Sequence, residues 1–343
     1  MHIQRAESLL PFNSLALQAS ADALVTVNSA VELRDACSWA RDHDLSVVPL
    51  GQGSNVVLAG DLAALVIRQC SRGIEQIAET PTSVTLRVAA GEDWHSLVQW
   101  SLQQHLYGLE NLALIPGTVG AAPIQNIGAY GVELQSFVTR VHAVSIASGE
   151  TVSLTNAECA FAYRDSVFKH SLQDQLIIFA VELTLSRIPE VHIEYPALQS
   201  ALNNSHSQQV TPQAVFDAVV AIRSSKLPDP AVMPNAGSFF KNPSVTPAQA
   251  VELAARFPEL PVYPQPDGQA KLAAAWMIEY CGWKGYRDDG FGIHPEHALV
   301  MVNYGNGNGV QLLQLARRVR DSVAAAFAVV LQIEPRVYGS SND

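Results

Sequence analysis

The chain has 343 residues, of which 48% are hydrophobic and 15% are charged, so it suits two or three globular domains and is too apolar to be disordered. Its net charge is −11 at pH 7 with no block of Lys or Arg, which argues against a nucleic-acid-binding surface. No basic segment followed by an apolar one opens the chain, and no run of about 18 apolar residues occurs, so we expect neither a signal peptide nor membrane insertion.

The cysteine and histidine patterns argue against a metal centre. Two histidines, His294 and His297, lie three residues apart, but Pro295 between them disfavours the helix that would present both to one ion. No C-x-x-C pair occurs, and widely spaced thiols of this kind are typical of reduced core cysteines in a cytoplasmic protein. The thiols are Cys37, Cys70, Cys159 and Cys281. We therefore predict a cytoplasmic protein without a metal.

The first elements alternate strand and helix. We predict a strand at 24–27, a helix at 31–42, and strands at 46–50, 56–58 and 65–67. A glycine-rich turn at 51–55 directly follows the second strand, and such a turn can present successive N–H groups to an anion. It is not a G-x-G-x-x-G motif, because Val56 stands where the third glycine belongs. A plain β-turn remains the alternative.

The next stretch of interest, residues 115–131, is apolar but cannot form a long helix. It follows a predicted strand at 84–89 and a predicted helix at 94–104, and two prolines within it remove backbone donors. Its four glycines favour positive φ or the close approach of another group. The residues are Pro116, Pro123, Gly117, Gly120, Gly128 and Gly131. The stretch is either a buried connector or a wall that holds a flat or phosphorylated cofactor.

The second half of the chain supplies isolated polar groups in apolar or turn-rich surroundings. We predict strands at 138–146, 176–185 and 298–302, and helices at 211–222, 247–256, 272–280 and 310–328. Arg164 lies in an aromatic segment at 161–168, Ser238 in a polar, turn-like cluster at 235–243, and Glu334 in an extended segment at 331–337. A proline-rich run at 223–230 is the best candidate for a domain boundary.

Seven short motifs, taken in series, carry a family resemblance. They are GQGSN at 51–55, GLENLALIPG at 108–117, APIQNIGAYG at 122–131, YRDS at 163–166, KLPDP at 226–230, NAGSFFKNP at 235–243 and EP at 334–335. Each is weak alone, but their order and spread over nearly the whole chain resemble the UDP-N-acetylenolpyruvoylglucosamine reductases. The segment near Tyr195 resembles the longer, type I branch of that family.

The resemblance implies an α+β protein with a vanillyl-alcohol-oxidase-like (PCMH-type) FAD-binding fold in two lobes and a smaller α+β substrate-binding domain. The expected ranges are 1–70 and 71–223 for the lobes, and 224–343 for the substrate domain, whose last strand returns to the active site. FAD is the implied cofactor, with Arg223 helping to neutralise its diphosphate. The other implied FAD-binding residues are Gly51, Gln52, Gly53, Ser54, Asn55, Pro116, Gly117, Thr118, Gly120, Ala121, Ile124, Gln125, Ile127 and Gly128.

The resemblance also implies the reaction. NADPH reduces FAD, and a hydride then passes to C3 of the enolpyruvyl ether of a UDP-sugar, the small-molecule substrate. Arg164 is implied to stabilise the negative charge, Glu334 to polarise the substrate carboxylate, and Ser238 to protonate C2. The implied substrate-binding residues are Tyr130, Tyr163, Tyr195, Lys226, Asn242, Tyr263 and His297, the last in place of a glutamine common in the family. A monomer is expected.

Without the family, other interpretations of these residues stay open. Ser238 could cap a helix, Arg164 could form a structural ion pair, and Glu334 could be a surface residue between strands; the tyrosines could serve only in packing. Two other functions also stay open: a PCMH-type oxidase of alcohols or sugars, and a nucleotide-sugar-binding protein without flavin.

Overall fold

A computed structural model describes residues 1–203, 210–265, 267–305 and 307–339 of the chain. These residues form two compact units, each drawn from three segments of the sequence. Unit 1 comprises Met1–Glu7, Ala21–Gly53 and Ala63–Ser225, and unit 2 comprises Ser8–Ser20, Ser54–Leu62 and the segment from Lys226 onward. No helix in the described ranges combines the length and the apolar composition that a bilayer crossing requires.

The described chain contains strands, α-helices and short 3₁₀ turns. The strands are Ile3–Ser8 (β1), Ser20–Val27 (β2), Ser46–Leu50 (β3), Val56–Leu58 (β4), Leu62–Gln69 (β5), Ile74–Glu79 (β6), Ser83–Ala89 (β7), Gly128–Ala129 (β8), Val132–Glu133 (β9), Val138–Ser145 (β10), Thr151–Thr155 (β11), Leu176–Ser186 (β12), Asn235–Ser238 (β13), Ser244–Val245 (β14), Val262–Pro264 (β15), Ala270–Leu272 (β16), Phe291–Ile293 (β17), Val300–Asn303 (β18) and Arg336–Tyr338 (β19). The α-helices are Ala30–Asp42 (α1), Trp94–Gln103 (α2), Pro196–Asn203 (α3), Pro212–Lys226 (α4), Pro247–Arg256 (α5), Ala274–Tyr280 (α6) and Gly309–Phe327 (α7). The 3₁₀ turns are Leu10–Phe12, Glu110–Leu112, Ala122–Gln125, Leu134–Ser136 and Val167–Lys169.

The first sheet of unit 1 has the strand order β1-β2-β5-β3, with β3 and β5 parallel. Helix α1 links β2 to β3 and begins where the side chain of Ser29 accepts a hydrogen bond from the N–H of Glu32, which satisfies a free donor of the first turn. Its residues Leu33, Ala36 and Ala40 recur at helical spacing and are buried. The parallel β3 ends at Leu50, so the glycine-rich turn lies at the carboxyl end of this strand.

The second sheet of unit 1 is antiparallel, with the order β11-β10-β12-β7-β6. Its inward side chains, such as Val88 and Leu183, share one hydrophobic core with helices α2 and α4 and with residues 115–131. Val119 and Ile127 are two residues of the 115–131 stretch that are buried in this core. Burial of these apolar side chains therefore holds the stretch against the sheet.

Unit 2 contains two three-stranded sheets and one parallel strand pair. The sheet orders are β13-β18-β17 and β14-β16-β15, and β19 pairs with β4 from the first third of the chain. Helix α7 begins with a reciprocal capping box, in which the side chains of Asn308 and Gln311 each accept the N–H of the other residue. Gly309 is required there, because an added Cβ would lie 2.0 Å from the carbonyl oxygen of Leu58.

Most predicted elements are confirmed within three residues of their ends, but the strand predicted at 24–27 begins four residues earlier, at Ser20. Three other differences have a structural basis. The helix predicted at 272–280 begins only at Ala274, because Leu272 ends strand β16, which pairs with β15. Residues 235–238 were expected to be turn-like but form β13, whose partner β18 lies about 65 residues further along. The helix predicted to end at 222 continues to Lys226. The boundaries expected after residues 70 and 223 remain predictions.

Candidate active site

The turn after β3 contacts the start of the 115–131 stretch. Gly51 allows this approach, because an added Cβ would lie 2.7 Å from Oγ1 of Thr118. The side chain of Gln52 joins the two segments: its Nε2 donates to Oδ2 of Asp93 at 2.7 Å, and its Oε1 accepts from the N–H of Gly117 at 3.0 Å. Gly53 has φ +65°, a conformation that glycine adopts without strain. The turn is thus held rigidly by side chains rather than by strand pairing.

This turn carries backbone donors that the protein itself does not use. In the described part of the chain, the N–H groups of Gly51, Gln52, Gly53 and Thr118 donate to no protein acceptor. Successive free donors in a turn form an anion-binding concavity. The sequence had left this turn open between a plain β-turn and an anion site, and the free donors are what an anion site needs.

Each glycine of the 115–131 stretch is favoured over a larger residue for one of two physical reasons. Gly117 and Gly131 have positive φ values of +129° and +85°. Gly120 and Gly128 have ordinary φ values but lie where a Cβ does not fit: 2.5 Å from Cβ of Ala90 in one case, and 2.9 Å from Cγ of Glu133 in the other. The stretch follows an irregular course with one 3₁₀ turn and the two-residue strand β8, so the expectation that it forms no long helix is confirmed.

Asn126 connects this stretch to the segment that contains Arg164. It is fully buried with φ +44°, a left-handed conformation that asparagine tolerates. Its amide donates to Oε2 of Glu133 and to the carbonyl of Ala162, both at 3.0 Å, and its oxygen accepts from the N–H of Gln135. These bonds fix residue 162, two positions before Arg164, against the stretch.

Arg164 itself lies against β8. Its Nη2 donates to the carbonyl of Gly128 at 2.7 Å, and its guanidinium carbon lies 5.2 Å from the centre of the Tyr163 ring. The residue has φ +53°, which is costly for a side chain of this size and indicates that its surroundings impose the conformation. Arg164 is thereby held against the glycine-rich stretch, and its expected action beside a cofactor stays a prediction.

A second arginine of unit 1, Arg223, contributes a charge without a carboxylate partner. Among the described residues it forms no ion pair, and its Nε donates to the carbonyl of Leu114 at 3.2 Å. Burial lowers the pKa of Arg223, and the nearby Arg164 lowers it further, whereas Tyr130 raises it. Burial conversely raises the pKa of the Tyr130 hydroxyl. Arg223, a buried cation with no acidic partner among the described residues, favours an anionic ligand.

Tyr130 and Tyr195 form an edge-to-face pair with ring centroids 5.3 Å apart. Asn111 supports the pair from the backbone. Its amide donates to the carbonyl of Tyr130 itself (3.0 Å) and to that of His192 (2.8 Å), three residues before Tyr195. Tyr195 is 46% exposed, so it does not act as a core residue. Both tyrosines are therefore available to a ligand from a fixed backbone.

In unit 2, the backbone brings Ser238 and Glu334 into adjacent segments. Residues 239–241 pair with residues 332–334: the N–H of Glu334 donates to the carbonyl of Phe239 at 2.9 Å, and Phe240 bridges Ile333. Burial of the Phe239 and Phe240 rings, both about fully inside, anchors this pairing. Ser238 ends strand β13 and does not cap a helix, so that alternative is wrong.

The other unit 2 residues predicted to bind substrate fall into two groups. Oδ1 of Asn242 accepts from the N–H of Ala274 at 3.0 Å and so takes the place of a cap at the start of α6. Burial lowers the pKa of His297, and the charges of Lys226, His294 and Lys284 lower it further. Lys226 and His297 therefore lie close together and the neutral form of His297 is favoured, whereas Tyr263 stands half exposed on β15.

The predicted site residues divide between the two units. Unit 1 holds Gly51, Gln52, Gly53, Pro116, Gly117, Thr118, Gly120, Ala121, Ile124, Gln125, Ile127, Gly128, Tyr130, Tyr163, Arg164, Tyr195 and Arg223. Unit 2 holds Ser54, Asn55, Lys226, Ser238, Asn242, Tyr263, His297 and Glu334. Four residues with a supporting part were not among the predicted site residues: Asp93, His95, Asn111 and Asn126, the last two of which lie within the motifs at 108–117 and 122–131. Only Asp93 had a local signal, as a polar residue directly before a predicted helix.

The residues of unit 1 fit FAD. The free donors at 51–53 and the unpaired charge of Arg223 suit a diphosphate, and the backbone at Gly131 has open space beside it, since nothing lies within 4 Å of an added Cβ. The side-chain oxygen of Gln125 is buried and accepts no hydrogen bond in the described structure. A buried acceptor without a donor is costly unless a ligand supplies one. Within the described ranges, no cluster of three or more His, Cys, Asp or Glu side chains could hold a metal ion.

Comparison with known proteins identifies relatives along the whole chain. Residues 21–155 match the family model of an FAD binding domain, and residues 229–338 match the C-terminal domain of UDP-N-acetylenolpyruvoylglucosamine reductase. Curated reductases of that name share 46% identity over 98% of this chain and 99% of the relative in Pseudomonas fluorescens, and 47% over 98% and 97% in Shewanella sp. strain ANA-3.

A solved structure agrees with these matches at the level of the fold. The UDP-N-acetylenolpyruvylglucosamine reductase of Thermus caldophilus aligns over 99% of this chain and 100% of its own, with a TM-score of 0.69 and 24% identity. The expected α+β fold with an FAD-binding region is confirmed, and so is the resemblance that the motifs indicated. The chain belongs to the UDP-N-acetylenolpyruvoylglucosamine reductase family.

Proposed function

We infer that this chain is a flavoenzyme that uses NADPH to reduce the enolpyruvyl group of UDP-N-acetylglucosamine-enolpyruvate to UDP-N-acetylmuramate, in the synthesis of peptidoglycan precursors. Family membership and the match to an FAD binding domain support the reaction and the cofactor. At the level of residues, one observation carries the proposal: the pairing of residues 239–241 with 332–334 brings Glu334 beside the segment of Ser238.

Arg164 is proposed to stabilise the charge that develops on the substrate. When bound, FAD supplies the hydride, taken from NADPH, that adds to C3 of the enolpyruvyl group. The electron pair displaced by this addition moves to C2 and the adjacent carboxylate, where a fixed cation lowers its energy. One preorganised donor at such a position contributes about 3–4 kcal/mol in comparable sites. The bond from Arg164 to the Gly128 carbonyl holds the guanidinium in place before the charge appears.

Ser238 is proposed to donate the proton that C2 then requires. A serine hydroxyl is a weak acid, but an enolate is a strong base, so the transfer runs downhill. We place Glu334 at the substrate carboxylate, where a protonated or hydrogen-bonded carboxyl group would polarise it without adding repulsion. The position of Glu334 beside Phe239, the residue after Ser238, supports a shared task.

The remaining residues are proposed to bind the two ligands. Lys226 provides positive charge for the UDP-sugar diphosphate, and the neutral ring of His297 and the amide nitrogen of Asn242 provide hydrogen-bond donors. Tyr130, Tyr163, Tyr195 and Tyr263 complete the proposed substrate contacts. The proposed FAD contacts are the residues at 51–55, the residues of the 116–128 segment named above, and Arg223.

We further propose that the enzyme works as a monomer in the cytoplasm. All four thiols, at Cys37, Cys70, Cys159 and Cys281, are free in the structure, which supports a reducing compartment. Burial raises the pKa of the Cys37 thiol to about 11, which makes it an unreactive core group at neutral pH.

The Ser238→Ala variant tests the proposal, because it separates the two halves of the reaction. NADPH should still bleach the bound flavin at close to the normal rate. Reoxidation of the flavin by the enolpyruvyl substrate should slow by about 10²–10⁴-fold, the usual contribution of a positioned proton donor. Stopped-flow absorbance near the flavin maximum measures both steps on one sample.

Ser244→Ala, on the exposed strand β14 of the same unit, is the matched control and should leave both steps unchanged. Equal losses in both half-reactions of Ser238→Ala would assign Ser238 a structural role. NADPH oxidation by the unaltered protein that ignores the sugar nucleotide would reject the reductase function itself.

A further inference from the structure

Leu114, at the entrance to the 115–131 stretch, is held in a conformation that it would not adopt by itself. Its φ is +57°, in the left-handed region, which costs a leucine roughly 1–2 kcal/mol. Neither of its neighbours, Ala113 and Ile115, is a glycine that could relieve the bend. Since Ile115, Pro116 and Gly117 follow, the bend at Leu114 sets the direction in which the chain enters the stretch.

Two side chains hold this residue from opposite ends of its backbone. Nδ1 of His95 accepts a hydrogen bond from the Leu114 N–H at 3.0 Å, and Nε of Arg223 donates to the Leu114 carbonyl at 3.2 Å. His95 lies in the first turn of α2, where its ring stacks on Phe216 of α4 at 5.5 Å and 3°. The ring therefore has one fixed orientation and one fixed proton: because Nδ1 accepts, the neutral imidazole carries its proton on Nε2.

The start of α2 also holds residues on both sides of Leu114. The N–H of Trp94 donates to the carbonyl of Gly117 at 3.0 Å, and its indole N–H donates to the carbonyl of Leu112 at 2.9 Å. Of the five residues from 112 to 116, Leu114 is thus the one whose N–H depends on a titratable side chain. Replacing or protonating His95 would release this bond while leaving its neighbours intact.

The orientation of Arg223 depends on the same residue. In the described structure, Nε is the only guanidinium nitrogen of Arg223 with a hydrogen-bond partner, and that partner is the Leu114 carbonyl. The two terminal nitrogens are left for a ligand. If Leu114 rotated out of its bend, its carbonyl would turn away and the guanidinium would lose its anchor.

We propose that His95 is a positioning residue for cofactor binding: by fixing the backbone of Leu114, it orients Arg223 toward the anionic diphosphate of FAD. The inference rests on the proposed function, since FAD is the ligand concerned. His95 contacts neither cofactor nor substrate in this proposal and takes no part in the chemistry. Its task is to supply a neutral hydrogen-bond acceptor at one place.

This task has a direct consequence for the effect of pH. Protonation of Nδ1 converts the acceptor into a donor, which faces the Leu114 N–H and cannot bond to it. The charged groups that face the ring are Asp93 on its own helix and Arg223 on α4. Burial lowers the pKa of His95, Arg223 lowers it further and Asp93 raises it, so the net pKa lies below the ordinary value for histidine. The acceptor is therefore intact at pH 7 and is lost in acid.

Titration of the flavin-free protein with FAD tests the inference, with quenching of flavin fluorescence as the readout between pH 5 and pH 8. In the unaltered protein, Kd should rise by about tenfold as His95 becomes protonated, the effect of losing one hydrogen bond of ordinary strength. His95→Asn keeps an oxygen acceptor near the Nδ1 position and cannot titrate, so its Kd should be near normal and nearly independent of pH. His95→Leu should bind FAD about tenfold more weakly at every pH.

Two further variants make the result specific. His43→Asn, on the exposed end of α1, should titrate like the unaltered protein. If His95 acts through Arg223, then Arg223→Gln combined with His95→Leu should bind FAD no more weakly than Arg223→Gln alone. Thermal unfolding of each flavin-free variant shows whether it is folded, and His95→Asn remains decisive if His95→Leu is not.

Normal FAD binding by His95→Leu, additive losses in the double variant, or an unchanged pH dependence in His95→Asn would each overturn the inference. Failure of the unaltered protein to bind FAD at any pH would instead contradict the proposed function, and this inference with it.

Discussion

Gly120 should be irreplaceable for a steric reason, although its φ is compatible with any residue. Its N–H donates to the carbonyl of Ala90 at 2.9 Å, so the two backbones are in contact. A Cβ added to Gly120 would lie 2.5 Å from Cβ of Ala90, 3.1 Å from its Cα and 3.2 Å from its carbonyl oxygen. Nonbonded carbons prefer about 3.5–4.0 Å, so Gly120→Ala must push the stretch away from the end of β7 by about 1 Å. Overpacking of this kind costs about 1–3 kcal/mol of folding free energy.

Because that displacement moves the proposed cofactor wall, Gly120→Ala should lower both the thermal stability and the affinity for FAD. Calorimetry and fluorescence titration measure the two effects. Ala90→Gly removes the closest of the three contacts, so the double variant should recover part of the loss, which is a favourable coupling in a double-mutant cycle. Gly131→Ala is the control for backbone strain alone: its φ is +85°, and nothing lies within 4 Å of the added Cβ. Strictly additive effects of Gly120→Ala and Ala90→Gly would refute the steric argument.

Two other predictions concern the stability of each unit. Glu182 in the antiparallel sheet accepts hydrogen bonds from His142 (2.8 Å) and Arg87 (2.9 Å); burial raises its pKa, but these partners outweigh burial and lower it overall. A carboxyl group whose pKa is lower in the folded state than in the unfolded state stabilises the fold at pH values above the unfolded pKa, which is near 4.3. This contribution is lost as the pH falls through the pKa of the folded state. Glu182→Gln should therefore cost about 1.5–3 kcal/mol at pH 7 and less at pH 3, as urea unfolding at both pH values would show; an equal cost at both would contradict the ionic explanation. In unit 2, Gly309→Ala should cost more than about 3 kcal/mol, because its Cβ would overlap the backbone of Leu58 on a strand that cannot move aside. Circular dichroism during heating measures this loss, and a shift in Tm below about 4 °C would contradict it.

The sequence predicts well those elements whose signal is local. Helix α1 is recognisable from Ser29 and the buried residues at helical spacing, and α7 from a long amphipathic repeat, so both are predicted within a residue of their ends. Strand β6 has no such signal, because four of its six residues are exposed or charged and it becomes a strand only by pairing with β7. Strand β13 likewise depends on β18, about 65 residues away. Local sequence patterns therefore do not predict strands that form only by pairing with a distant segment.

The residues of the candidate site also divide into those that local sequence predicts and those that it does not. Residue types that chemistry requires, such as Arg164 and Ser238, stand out within short motifs. Their supports do not: His95 and Asn111 resemble ordinary helix residues, and only the folded chain shows that one bonds to Leu114 and the other to the Tyr130 carbonyl. The pairing of Glu334 with Phe239 is also invisible in sequence, because about 95 residues separate the two.

The backbone donors of unit 1 show what each part of its glycine-rich surface can do. In the 115–131 stretch, the N–H groups of Gly117, Val119 and Gly120 donate to Gln52, Glu92 and Ala90 and so hold the shape of the stretch. The N–H of Thr118 between them has no protein acceptor in the described part of the chain. In the turn at 51–53, by contrast, the side chain of Gln52 holds the backbone in place, and the backbone N–H groups of the turn remain free. A flat apolar ring needs a rigid surface and few donors, whereas a diphosphate needs free donors and positive charge. The stretch therefore suits the flavin ring, and the turn together with Arg223 suits the diphosphate.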